Sequence, residues 1–233
     1  MIEAEWWEYD STDEMADAVA GDIGFIIESA LDARSAALIA VPGGETPRPI
    51  YPKLAAAKLK WKQVTVIPTD DRLVPMDDER SNVRGLAQAF LPLGARVIPI
   101  AADIADYRLA GNSADARLQD LPWPPDLVWL GMGKDGHTAS IFAGPDMQDA
   151  LDAPKARRAV GVMPDPMPQE AAVPRVTLTR ASILSARTML ITIRGDEKRE
   201  LLESAIKDGQ SSRLPIGRVL AEAEQPIDIH WCP

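Results

Sequence analysis

The segment of this chain with the clearest chemical potential is the glycine-rich loop GMGKDGHTAS at residues 131–140. It places Asp135 two residues before His137, among three glycines that supply no side chains for core packing. An imidazole titrates near neutral pH and can act as a general base, while a neighbouring carboxylate can orient the ring or stabilise its protonated form. The favoured interpretation is a catalytic loop; the alternative is a surface histidine in a flexible turn.

Two further loops carry polar groups at the ends of predicted strands. PGGETP at 42–47 offers Gly43 and Gly44, whose backbone N–H groups can approach a ligand closely, and the hydroxyl of Thr46. Such a turn, followed by a helix N-terminus, can hold a phosphate, although a lone Gly-Gly pair is more often a plain tight turn. The second loop, TDDR at 69–72, brings two carboxylates and a guanidinium.

Strands alternating with helices must position these loops. Apolar runs predict strands at 36–41, 64–70, 96–100, 126–133, 188–194 and 227–231, and helical periodicity predicts helices at 11–31, from 47, from 81, at 113–121 and at 196–207. The stretch 145–174 is predicted to be irregular. This alternation predicts an α/β fold, a three-layer, mainly parallel twisted sheet with helices on both faces, as one domain over 1–233. In such sheets ligands bind beyond the carboxyl ends of the strands, where all three loops begin. Thr138, Ala139 and Ser140 are expected to start a helix.

Composition excludes several functional classes. The chain has 233 residues, with 35 acidic and 25 basic side chains and a net charge of −10, which argues against binding to nucleic acid or to an anionic membrane surface. One cysteine and two histidines exclude a disulfide framework and a thiolate-rich or multi-histidine metal centre, so we expect neither metal nor cofactor. No secretory signal or bilayer-spanning apolar run is visible, and the expected location is the cytoplasm. The expected assembly is a monomer or small homo-oligomer.

Five segments, in this order, resemble the 6-phosphogluconolactonase family. They are PGGETP, TDDRLVPMDDERSN (69–82), LGMGKDGHTASIF (130–142), PRVTLTRASILSAR (174–187) and the GDEK run that ends at Lys198. Their order and rough spacing match the family from end to end, and the segment around His137 is the most diagnostic. Two positions depart from the family pattern: Asp71 stands where glutamate is usual, and Glu45 stands where a small residue, often serine, is common.

The resemblance implies a single α/β domain shared with glucosamine-6-phosphate deaminases. It implies hydrolysis of 6-phospho-D-glucono-1,5-lactone to 6-phosphogluconate in the pentose phosphate pathway, with His137 activating water and Asp135 assisting it. The partner is then a small-molecule phosphosugar lactone. Contacts with its phosphate and sugar are implied for Gly43, Gly44, Thr46, Asp70, Arg72, Arg175 and Lys198.

Two alternatives remain open from the sequence. A glucosamine-6-phosphate deaminase or isomerase would use the same fold, but its loop usually continues from Gly-His into a segment bearing Asn-Glu, whereas here Thr138 to Phe142 contain no acid. A non-catalytic sugar-phosphate-binding protein is the other alternative, and an intact Asp135 and His137 argue against it.

Overall fold

The computed structural model describes residues 2–101 and 105–233, which form alternating strands and helices. The strands are β1 (Ala4–Glu8), β2 (Ala37–Val41), β3 (Val64–Pro68), β4 (Asp70–Arg72), β5 (Arg96–Val97), β6 (Leu127–Leu130), β7 (Ala159–Val162), β8 (Arg175–Leu178), β9 (Thr188–Arg194) and β10 (Ile227–Cys232). The α-helices are α1 (Thr12–Arg34), α2 (Ile50–Ala55), α3 (Asn82–Phe90), α4 (Tyr107–Gln119), α5 (Met147–Leu151), α6 (Arg180–Leu184), α7 (Asp196–Asp208) and α8 (Pro215–Leu220).

Seven strands form a parallel central sheet in the order β1-β10-β9-β6-β2-β3-β5. The alternating side chains of β2 separate two apolar cores: Ala37, Ile39 and Val41 face the core that contains α1, while Leu38 and Ala40 face the core that contains α4, α7 and α8. A strand buried on both faces reads as a continuous apolar run, which is why β2 was visible in the sequence. The prediction of a three-layer, mainly parallel α/β fold is confirmed.

A second, antiparallel sheet of three strands was not predicted, and its order is β4-β8-β7. The chain leaves the large sheet at Thr69, so the prediction of one strand over 64–70 was wrong at its end. Pro68 closes β3, and Thr69 then joins the sheets, because its N–H donates to Val41 O at 3.0 Å and its carbonyl accepts from Leu178 N at 2.9 Å. The stretch 145–174, predicted to be irregular, contains both α5 and β7.

Several element boundaries differ from the prediction for local reasons. Helix α1 begins where predicted, with Ser11 Oγ accepting from Glu14 N at 3.2 Å, but it continues to Arg34. Helix α4 begins earlier than 113, because the Asp106 carboxylate accepts from two backbone N–H groups of its first turn, at 2.8 and 3.1 Å. Helix α2 begins at Ile50 rather than at Pro47, and β5 ends at Val97. None of the helices in the described ranges is both long and apolar enough to cross a bilayer.

Candidate active site

The structure brings the three polar loops together around one open pocket of about 940 Å³. It lies where β2 and β6 end, beside β4, β8 and the start of α7. Every site residue expected from the sequence lines it: Gly43, Gly44, Thr46, Asp70, Arg72, Asp135, His137, Arg175 and Lys198. Because these residues line one pocket, they can contact the same ligand; the role of each remains a prediction.

The glycines of the 131–140 loop allow its histidine to fold back over the backbone. A Cβ at Gly133 would lie 2.1 Å from His137 Cε1 and 2.7 Å from Asp135 Oδ1, so any side chain there would force the imidazole to move. Gly136 adopts φ +77, a left-handed conformation that glycine tolerates best, and its N–H donates to Gly133 O at 3.0 Å. The loop closes when Gly133 N donates to His137 O at 2.9 Å.

His137 and Asp135 form a hydrogen-bonded pair within this loop. His137 Nδ1 lies 2.5 Å from Asp135 Oδ1, and the same oxygen accepts from His137 N at 3.2 Å. Partial burial acts to raise the pKa of Asp135, but the hydrogen bond and charge of His137 outweigh it, so the net direction is downward. An ionised carboxylate only accepts hydrogen bonds, so a neutral imidazole here carries its proton on Nδ1 and leaves Nε2 free as a base.

Phe142 contacts both the histidine and a cation of the pocket, and sequence reasoning did not identify it. Its ring stacks on His137 with centroids 4.2 Å apart and planes inclined by 25°. Arg175 Cζ lies 5.1 Å from the same ring's centroid. Phe142 ends the diagnostic segment 130–142, but nothing in its spacing predicts that the ring contacts both groups.

The residues after His137 form a tight turn, so the prediction of a helix start at 138–140 was wrong. Thr138 and Ile141 pair as an isolated bridge, and Ile141 N donates to Thr138 O at 2.9 Å. Ala139 takes a left-handed φ of 48 to make the turn. Ser140 is buried and its Oγ donates to Asp70 Oδ2 at 2.5 Å, so this serine orients a pocket carboxylate.

Two arginines lie side by side in the pocket because β4 pairs with β8. Arg72 and Arg175 are direct partners in that antiparallel ladder. Each has a buried Nε–H with no hydrogen-bond partner in the described part of the chain. Burial lowers the pKa of Arg175, yet a guanidinium keeps its charge in proteins. Two guanidinium groups that line one pocket are suited to bind a phosphate or carboxylate.

A second cationic group comes from the start of α7. Lys198 Nζ donates to Met132 O at 2.6 Å, which ties it to the end of β6. Its pKa is lowered, first by burial and then by the charge of Lys134. Among the described residues that line the pocket, five side chains are cationic and three are carboxylates: Arg72, Lys134, Arg175, Arg194 and Lys198 against Glu45, Asp70 and Asp135. The pocket is thus locally positive within an acidic protein.

Asp71 does not face the pocket, because neighbours along a strand point to opposite sides. It is fully buried and accepts hydrogen bonds from Asn82 N at 2.6 Å, Val83 N at 3.1 Å and Ser81 Oγ at 3.1 Å. Ser81 therefore precedes α3 as expected but does not cap it with its own side chain; Asp71 does. Burial raises the pKa of Asp71, against the lowering effect of these backbone donors. Asp71, which stands where the family usually has glutamate, therefore anchors the start of α3 and does not line the pocket.

The glycine turn approaches the pocket closely, with Gly44 at φ +98 and both Glu45 and Thr46 on the pocket wall. Glu45 is exposed, and helix α2 begins four residues after Thr46, so the helix N-terminus does not directly follow the turn. In the described ranges, no group of three or more His, Cys, Asp or Glu side chains is arranged to hold a metal ion.

A parallel sheet covered by helices on both faces, with a cationic pocket and a His–Asp pair at its strand ends, is typical of an α/β enzyme that acts on a small anionic ligand. The family model for glucosamine-6-phosphate isomerases/6-phosphogluconolactonase matches residues 10–231. The chain belongs to this family.

Relatives and structural neighbours of this chain match it over nearly its full length. A protein of Rhizobium meliloti named 6-phosphogluconolactonase is 36% identical over 229 residues, covering 97% of each chain. One of Pseudomonas aeruginosa with the same name is 34% identical, covering 96% of this chain and 92% of its own. The crystal structure of a 6-phosphogluconolactonase from Shewanella baltica superposes with a TM-score of 0.91 at 28% identity, covering 99% of this chain and 98% of that one.

Proposed function

We propose that this protein hydrolyses 6-phospho-D-glucono-1,5-lactone to 6-phosphogluconate, the lactonase step of the pentose phosphate pathway, in the cytoplasm. The observation that carries this function is the His137–Asp135 pair in the same pocket as Arg72, Arg175 and Lys198. The His–Asp pair suits reaction at an ester carbonyl, and the three cationic side chains suit binding of a phosphate. The names of the full-length relatives support the same reaction.

The proposed chemistry needs one base and one water. Water attacks the lactone carbonyl carbon while His137 Nε2 takes one of its protons, and the carbonyl oxygen becomes an oxyanion. The tetrahedral carbon then expels the ring oxygen, which receives the proton from the imidazolium. The new carboxylic acid ionises in water. Asp135 holds Nδ1–H and stabilises the imidazolium between these two steps. A lactone is already an activated ester, so no covalent nucleophile is required.

The phosphate is held by the cations and the glycine turn. The guanidinium groups of Arg72 and Arg175 and the Lys198 ammonium supply charge. Gly43, Gly44 and Thr46 supply close backbone and hydroxyl donors. Binding energy at the phosphate, remote from the carbonyl, fixes the lactone in the orientation for attack.

Deamination of glucosamine 6-phosphate is the less favoured reaction of this family. It requires acid–base groups for ring opening and for proton transfer at carbon. No carboxylate follows His137 in the turn, and the aromatic ring of Phe142 packs on the imidazole instead. Release of ammonia from glucosamine 6-phosphate at a rate comparable with lactone hydrolysis would reverse this order.

The direct test is hydrolysis of freshly generated phosphogluconolactone by the wild type and by His137→Ala. A positioned general base contributes about 10²–10⁴-fold, so His137→Ala should lose that much in kcat. Asp135→Asn should lose less, because the base remains but its orientation and its protonated form are no longer supported. Acid production at constant pH, corrected for spontaneous hydrolysis, measures all three.

The outcomes separate function from mechanism. A wild type that does not exceed spontaneous hydrolysis contradicts the lactonase function. A wild type that is active while His137→Ala keeps most of its rate leaves the function standing and contradicts the role of the histidine. The control is His137→Ala binding of 6-phosphogluconate by calorimetry, which should persist because the phosphate contacts are intact.

A further inference from the structure

The side chain of Asn82, the first residue of α3, joins three parts of the pocket that are distant in sequence. It is 8% exposed and its amide does not cap the helix. Asn82 Nδ2 donates to the backbone carbonyl of Asp70 at 2.7 Å and lies 3.4 Å from Asp70 Oδ1. Asn82 Oδ1 accepts from Arg72 Nη1. The amide therefore joins parts of the pocket rather than capping α3.

The glycine turn is fitted around the same amide. A Cβ at Gly43 would lie 1.9 Å from Asn82 Oδ1 and 2.3 Å from Asn82 Cγ, so any side chain there would force the amide to move. Glycine at position 43 leaves room for the amide of Asn82. The turn after β2, strand β4 and helix α3 all meet at this one carboxamide.

Asp71 fixes the backbone that carries the amide. Its carboxylate accepts from Asn82 N at 2.6 Å, so Asn82 cannot move without breaking the cap of α3. Strand alternation then makes the arrangement two-sided: Asp71 anchors Asn82 from the helix side, while Asp70 and Arg72 meet the Asn82 side chain from the pocket side.

An amide suits position 82 better than a carboxylate would. A carboxamide offers an acceptor to the guanidinium and a donor to the two Asp70 oxygens, and it carries no charge. A carboxylate at the same position would neutralise Arg72 and would face Asp70 oxygen to oxygen. Asn82 thus orients the guanidinium of Arg72, which lines the pocket, while leaving its positive charge available to an anion.

We propose that Asn82 is a positioning residue that sets the preference of this site for a phosphorylated lactone, by holding Arg72 beside the glycine turn with its charge uncompensated. The kinetic predictions of this inference rest on the proposed lactonase function. It predicts that changes at Asn82 act on phosphate recognition rather than on the carbonyl chemistry at His137.

The test compares Asn82→Asp with the wild type on two substrates, phosphogluconolactone and D-glucono-1,5-lactone without phosphate. A carboxylate at position 82 would neutralise Arg72 and so weaken its charge-assisted hydrogen bond to the phosphate. We therefore expect Asn82→Asp to lower kcat/KM for the phosphorylated lactone by about 10- to 100-fold, mainly through KM. The unphosphorylated lactone should change by less than about threefold. Asn82→Ala, which adds no charge, should show the same substrate selectivity with a smaller loss.

Arg72→Ala supplies the matched background. If Asn82 acts through Arg72, adding Asn82→Ala to Arg72→Ala should cost less than about threefold more, since coupled residues are not additive. Equal losses on the two lactones, or full additivity in the double variant, would overturn the proposal and assign Asn82 a general structural role. Thermal unfolding of each variant identifies any that fail to fold, in which case Asn82→Ala decides.

A binding measurement separates this inference from the proposed function. Calorimetric titration with 6-phosphogluconate should be weakened by Asn82→Asp, and titration with gluconate should not, whether or not the wild type hydrolyses a lactone. Inactive wild type with selectively weakened phosphogluconate binding contradicts the lactonase function alone. Active wild type with unchanged phosphogluconate binding in Asn82→Asp contradicts the role of Asn82 alone.

Discussion

At the scale of single residues, the chemistry of this site depends on positions where a side chain is absent. Gly133 leaves room for the imidazole of His137, and Gly43 leaves room for the amide of Asn82. Neither glycine has the positive φ that usually explains its choice. Steric exclusion by a neighbouring functional group is the reason in both cases.

Gly133→Ala should disable catalysis by displacing the imidazole. Its Cβ would lie 2.1 Å from His137 Cε1, so the ring must leave Asp135 and Phe142. We expect a loss in kcat approaching that of His137→Ala, about 10²–10⁴-fold. Steady-state kinetics on the phosphorylated lactone measures the loss.

Gly131→Ala is the matched control on the same loop, because a Cβ there meets nothing within 4 Å. Its loss should be at least about tenfold milder than that of Gly133→Ala, since the imidazole stays in place. Similar losses in the two variants would show that the loop is sensitive to any added methyl group rather than to the position of His137.

At the scale of elements, the two sheets position different parts of the site. The parallel strands β2 and β6 deliver the glycine turn and the histidine loop to one edge, as their topology requires. The antiparallel pairing of β4 with β8 places Arg72 opposite Arg175. At the far side of the large sheet, β1 and β10 hold the other histidine, His230, which is 1% exposed.

His230 lies in a buried polar contact that should make the fold sensitive to acid. Its Nδ1 lies 2.9 Å from Tyr9 Oη, and its Nε2 lies 3.7 Å from Asp22 Oδ2. Burial lowers the pKa of His230 to about 4, against the opposing charge of Asp228. In the unfolded state the histidine has its ordinary pKa of about 6.5. Between about pH 6.5 and 4, the unfolded state therefore binds a proton that the native state does not bind.

The free energy of unfolding should therefore fall as the pH falls from about 6.5 towards 4, by about 2 kcal/mol at pH 5 from this group. His230→Gln removes the titration and should lose correspondingly less stability between pH 7.5 and 5. Urea unfolding at the two pH values, for both proteins, measures the difference. Identical losses in wild type and variant would assign the acid sensitivity to other groups.

At the scale of the whole molecule, a net charge of −10 surrounds a pocket with more cations than carboxylates. The long-range field opposes the approach of a phosphate dianion, while the local cations attract it. Exposed surface charges are screened over about 10 Å at 0.1 M salt. Capture of the substrate should consequently depend on which charges lie near the pocket.

Lys134→Glu should lower kcat/KM for the phosphorylated lactone, with little change in kcat, because Lys134 is exposed on the pocket wall and is not placed in the chemistry. We expect a loss of about 3- to 30-fold at low ionic strength that shrinks as salt is added. Lys155→Glu is the control: it is exposed, does not line the pocket and changes the net charge equally. Equal losses in the two variants would mean that net charge, not position, governs capture.

Much of the fold was predictable because it is encoded locally. Buried parallel strands appear in the sequence as apolar runs, as in β2 and β9. The spacing of Ser11 and Glu14 is typical of a capping box and predicts the start of α1. The chemistry of the His137 loop was also local, since the glycines, the carboxylate and the imidazole lie within a few residues. The turn at 138–141 was missed because the pairing of Thr138 with Ile141 and the left-handed Ala139 have no clear local signature.

The sequence by itself determined an α/β chain with a His–Asp pair and a glycine turn at its strand ends. Only the tertiary structure decided that β4 leaves the main sheet to pair with β8, which sets Arg72 beside Arg175. It also decided that Asp71 turns away from the pocket to anchor α3, that Phe142 stacks on His137, and that Asn82 reaches the pocket. The physical reason is that periodicity and turn chemistry act between near neighbours in the chain, whereas strand pairing and side-chain contacts join residues that only the folded molecule brings together.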